Sequence, residues 1–102
     1  MNNIDSFRTT IEYYLHSLII DIKNLRDTIN SAIPHVLYKH DIFNEIKNNG
    51  LFLINQYRVL QVSTDSKIID KFTILETNLI IIKNRIYSII SDINANNIME
   101  EF

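Results

Sequence analysis

Apolar residues recur along this chain at intervals of three and four. From Ile4, the series Phe7, Ile11, Tyr14, Leu18, Ile22, Leu25, Ile29 and Ala32 keeps that spacing, which at about 100° per residue gathers them on one helical face. The pattern predicts a helix over residues 4–31. Asn2 or Asn3 can cap its first turn, Asp5 complements the helix dipole there, and Pro34 disfavours helical geometry at Ile33.

A second long series is more regular still. Ile68, Phe72, Leu75, Leu79, Ile82, Ile86, Ile89 and Ile93 alternate four and three without a break, as in a heptad seam, and predict a helix over residues 65–95. Ser63, Thr64, Asp65 and Ser66 are four adjacent candidate N-caps before it.

The middle of the chain is less regular. Tyr38, Ile42, Phe43 and Ile46 predict a short helix over residues 36–48, and Asn48-Asn49-Gly50 suits the left-handed residue that closes a helix. In the next stretch Leu53, Ile54, Tyr57 and Leu60 fit a helix, whereas Arg58 to Val62 alternate as a strand would. A lone strand has no partner for its backbone groups, which favours a second short helix over residues 52–61.

The expected fold is therefore all-α: one domain over residues 1–102, a small antiparallel bundle of two long helices with two short ones between them. Long helices of about 28 residues extend about 42 Å, and the short ones less than half of that. Two short helices cannot cover two long ones. If the long helices run antiparallel, Ile4, Phe7 and Ile11 meet Ile86, Ile90 and Ile93 in a two-helix arm whose apolar flank needs another partner. Two further pairs at i, i+7 fall on the backs of the long helices: Tyr13 with Ile20, and Ile74 with Ile81. Of these, Phe7, Ile11, Tyr13, Ile20, Ile74, Ile81, Ile86, Ile90 and Ile93 are the candidate interface. A bundle whose seam is filled with β-branched residues favours assemblies larger than a two-stranded pair.

Composition narrows the chemistry. Of the 102 residues, 46% are apolar and 22% charged, the balance of a globular chain rather than a disordered one. A net charge of −2, with Lys and Arg scattered between Arg8 and Arg85, provides no basic stripe for nucleic acid. Cysteine is absent, which removes disulfides and thiolate metal sites. Gly50 is the sole glycine, so neither a phosphate loop nor a nucleophile elbow can be built. The apolar run from Leu79 to Ile90 is broken by Lys83, Asn84 and Arg85, too soon for a membrane span. Asp5 and the lack of a basic segment before an apolar one argue against a cleaved secretory signal, and a cytoplasmic location is expected. The richness in Ile and Asn is the mark of an AT-rich genome, as in viruses, phages or low-GC bacteria.

Candidate catalytic and metal groups are sparse. Glu12 and His16 share one face of the first helix, but His35, His40 and Glu45 are spaced by five, which spreads them around a helix rather than converging on a metal. His40 and Asp41 are adjacent and point about 100° apart, so they do not form an acid–base pair. Glu76 and Lys83 flank the seam of the last helix, where charges set register or partner choice. The sequence points to a non-enzymatic helical interaction module without cofactor or metal, self-associating as a homodimer or binding another helical protein, in a structural or adaptor role. The alternative is a small monomeric inhibitor or immunity-type protein that engages one target through a helix face.

Overall fold

A computed structural model of the chain describes residues 3–32 and 39–100, with side chains over 5–32 and 41–95. The described residues form three helices: α1 (Asn3–Asn30), α2 (Lys39–Gln61) and α3 (Ile68–Glu100). They run up, down and up, in a body with principal extents of 56 × 22 × 16 Å. The expected all-helical bundle is present. The expected division into two long and two short helices is not, because the middle of the chain is one continuous helix.

Gly50 accounts for the difference. The glycine was expected to close a helix in the left-handed region, yet among the described residues no φ is positive, and Gly50 lies inside α2 with helical geometry. It is buried where α2 crosses α1, and a Cβ there would stand 2.8 Å from Ile22 Cδ1 and 3.6 Å from Leu18 Cδ2. The missing side chain thus serves close approach between two helices rather than a turn. Its helix-propensity penalty is only about 1 kcal/mol, which tertiary packing overrides.

Removing one turn from the middle reverses the direction of the last helix. With three elements instead of four, α1 and α3 run parallel, so the expected meeting of Phe7 with Ile86, Ile90 and Ile93 does not occur. Phe7 packs instead on Phe72, with ring centroids 6.4 Å apart and planes 13° from parallel. Ile86 lies fourteen residues further along α3 than Phe72, about 21 Å away along the axis.

The two long stripes read from the sequence form the core. Ile11, Leu18, Leu25 and Ile29 of α1 are buried against Phe72, Leu75, Leu79, Ile82, Ile86, Ile89 and Ile93 of α3, with Ile46, Leu53, Tyr57 and Leu60 entering from α2. Contact between α1 and α3 is the most extensive of the three interfaces. Of the four cap candidates before α3, Asp65 is the one used: its Oδ1 accepts the Lys67 N–H at 2.8 Å and its carbonyl the Ile68 N–H at 3.2 Å. Lys71 and the Lys67 N–H together hold its carboxyl below the ordinary aspartate range.

Candidate functional site

Three places outside the plain apolar core carry chemistry. The first lies between α1 and α3. Asp21 sits within the apolar stripe of α1, three residues after Leu18 and four before Leu25, and is only 4% exposed. Burying a carboxylate is costly unless it is paired. Ser17 Oγ donates to Asp21 Oδ2 at 3.3 Å, Lys83 Nζ donates to Ser17 Oγ at 2.5 Å, and Lys83 Nζ approaches Asp21 Oδ2 to 3.7 Å. The same ammonium stands 5.2 Å from the centroid of the Tyr87 ring, within cation–π range.

Serine beside lysine has the composition of a nucleophile and its base. The base must be neutral to accept a proton. Burial by itself pushes the Lys83 pKa down, but Tyr87 and the Asp21 carboxylate outweigh it and hold the ammonium above its ordinary value. Lys83 is therefore a charged partner for Asp21 rather than a base for Ser17.

The second place is the end of the bundle where α1 begins and α2 stops. Tyr57, itself buried, donates its hydroxyl to Glu12 Oε1 at 2.7 Å. Burial, followed by the hydrogen bond to the Glu12 carboxylate, pushes the phenol up to about 12. Arg8 reaches the last carbonyl of α2, donating to Gln61 O at 3.4 Å, where a cation complements the helix dipole; its Nε is buried without a hydrogen-bond partner. Glu12 is thus engaged with α2, while its helical neighbour His16 is exposed. His35 lies outside the described residues, as does the side chain of His40. Among the described residues, no group of three His, Cys, Asp or Glu is placed to hold a metal ion.

The third place is the outer surface where α2 and α3 lie side by side. Phe52 and Val59 on α2, and Ile74 and Ile81 on α3, are 61%, 66%, 61% and 58% exposed. Two adjoining depressions share Phe52 and form one groove between the helices, floored by Leu60 and Leu75 at one end and Leu53 and Ile82 at the other. Asn49, Asn55, Gln56 and Asn78 border it, with Lys71 toward one end and Arg85 toward the other. Arg85 pairs with Glu45 at 2.8 Å, which holds the Glu45 carboxyl below its ordinary range.

The nine residues singled out in the sequence divide among these regions. Ile11, Ile86 and Ile93 are fully buried inside the chain, and Phe7 and Ile90 pack against the same core. Their apolar surface is used by α1–α3 packing. Tyr13, Ile20, Ile74 and Ile81 face outward, the first two on α1, where Tyr13 lies near Lys83, and the last two in the α2–α3 groove. Sequence reasoning missed Phe52 and Val59, although their own i, i+7 spacing repeats that of Ile74 and Ile81. They were obscured by the strand-like alternation of Arg58 to Val62, which blurred the helical faces of that stretch. Asp21 was also missed, and its position inside an otherwise apolar stripe was the available signal.

No protein-family model, curated protein or solved structure matches the chain. Among the described residues, no helix is long and apolar enough to cross a membrane.

Proposed function

We propose that this protein is a non-enzymatic helical interaction module that self-associates. The observation that supports the reading is the α2–α3 groove: four large apolar side chains, each more than half exposed, arranged as two i, i+7 pairs on neighbouring helices. A stripe of that spacing is what one helix offers to another. Single exposed apolar residues are ordinary on a protein surface, whereas a continuous lined groove marks a contact site. The pairing of Lys83 with Asp21 supports a role for that cluster in holding α1 and α3 together.

Light scattering across concentrations from about 10 µM to 1 mM tests the reading. A mass that rises from one chain toward two supports it, and a monomer throughout the range overturns it. The reading of the protein as a monomeric inhibitor draws on a different surface, the α1 flank bearing Tyr13 and Ile20, and requires that the monomer persist.

A further inference from the structure

We infer that the α2–α3 groove is occupied by the same groove of a second copy, the two chains related by a twofold axis that crosses the helices at right angles. The inference rests on the self-association reading and specifies its geometry. It follows from the symmetry of the face about its own midpoint. In an isologous pair, every contact of residue i with residue j is repeated as j with i, so a face must complement itself when turned end for end. Here the outward pairs have equal spacing: Phe52 and Val59 are seven residues apart, as are Ile74 and Ile81. Because α2 and α3 are antiparallel, these four side chains stand near the corners of a rectangle, about 10.5 Å long at 1.5 Å per residue. Turning one face over onto another about its centre sets Phe52 against Val59 of the second copy and Ile74 against its Ile81. Four helices then lie around an apolar centre, each antiparallel to its two neighbours.

Charge selects this arrangement. Asp70 is four residues before Ile74 and Arg85 four residues after Ile81, both exposed and both on the outward side of α3. They are equidistant from the midpoint between Thr77 and Asn78. The same rotation therefore places Arg85 of one copy beside Asp70 of the other, and does so twice. On the midline, Asn78 meets Thr77, and Gln56 meets Asn55, so the remaining polar groups near the axis have hydrogen-bonding partners across it. The alternative twofold, parallel to the helices, sets Arg85 against Glu45, a pair each chain already makes for itself at 2.8 Å. It adds no new complement to Asp70. A foreign acidic helix would meet Lys71 already paired with Asp65 at 2.6 Å, whereas the second copy brings Asp70 to share Arg85 with Glu45.

The face is about 21 Å long and two helix diameters wide, roughly 400 Å² per copy and so about 800 Å² in total, below the roughly 1,200 Å² of standard specific interfaces and in the range of weak, transient contacts. A dimer held by so small a face is weak, so association must be measured up to high protein concentration.

Because cysteine is absent, one introduced thiol reports position cleanly. Asn78→Cys under mild oxidation yields a disulfide-linked dimer, while Tyr13→Cys, on the α1 side, yields none. Ile81→Asp retains its helical spectrum and weakens association at least a hundredfold by sedimentation equilibrium. Asp70→Arg and Arg85→Asp each weaken it at least fivefold, and the double exchange restores it, a recovery that a purely structural role would not produce. If a dimer forms but Ile81→Asp leaves it intact and Asn78→Cys does not link, the groove proposal fails while self-association stands. If the chain is monomeric to 1 mM, both fail. A dimer that loses affinity with Ile81→Asp but neither links at position 78 nor recovers in the double exchange overturns the stated axis.

Discussion

The two faces of α3 carry nearly the same residues and do different work. The inner face, from Phe72 to Ile93, is closed by α1 and α2, and its side chains are almost entirely removed from water. The outer face repeats isoleucine at Ile74 and Ile81, but those side chains remain more than half exposed. Residue type therefore does not decide which face holds the fold; angular position does. Between the two, 100° steps along one helix separate a position on which folding depends from one that folding can do without.

Substitutions at matched positions should separate the faces, beginning with the largest effect. Ile86→Asp places a carboxylate among buried aliphatic side chains without a cation, and should abolish cooperative thermal unfolding, a loss of more than about 4 kcal/mol. Lys83→Met comes next. It removes the cation from buried Asp21 and should cost about 2–4 kcal/mol in urea titration, most of which is recovered when Asp21→Leu is added, since an apolar pair of similar size does not carry the charge.

Tyr57 allows the same comparison without mutation. Its phenol titrates near 10 in an unfolded chain and near 12 when folded. The neutral form is the one the fold favours, so the stabilisation is complete below pH 10 and is lost as the pH rises toward 12, where the unfolded chain has already released the proton and the folded one has not. Stability measured by denaturant should fall by about 2 kcal/mol across that window, and Tyr57→Phe should remove most of the slope.

Gly50→Ala should move stability by no more than about 1 kcal/mol, because improved helix propensity opposes contact of the new methyl with the mobile end of Ile22. Gly50→Val, whose branches cannot all avoid α1, should cost more, by about 1–3 kcal/mol. The smallest effect is expected on the outer face. Ile81→Asp should shift the stability of the monomer by no more than about 0.5 kcal/mol, in direct contrast to Ile86→Asp five positions along.

The long helices were legible because their signal is redundant. Eight positions of α3 follow one alternation without exception, and a flanking charge such as Lys83 does not obscure it. The α2 region was misread at one residue. Glycine after two asparagines is a strong local sign of a helix end, and the tight crossing with Leu18 and Ile22 that makes Gly50 useful inside a helix is a property of the tertiary structure, invisible to local pattern. The consequence was global, since a miscounted turn exchanges parallel for antiparallel at the next element. Ile74 and Ile81 were identified as outward-facing while Phe52 and Val59 were not, because the alternation of Arg58 to Val62 left that stretch divided between helix and strand. The residues Phe7, Ile11 and Ile86 were noticed for their apolarity, but periodicity alone does not distinguish a seam filled by the chain itself from one awaiting another molecule.

The three helices of the described residues also give the body two unlike poles. The chain passes into α1 at one pole and leaves α3 at the other, across a long dimension of 56 Å. Joining the two ends directly would require a linker of at least about 15 extended residues, so circular permutation with a short connector should fail where it succeeds in even-numbered bundles. Sequences appended to the two ends by design would project in opposite directions, about 50 Å apart.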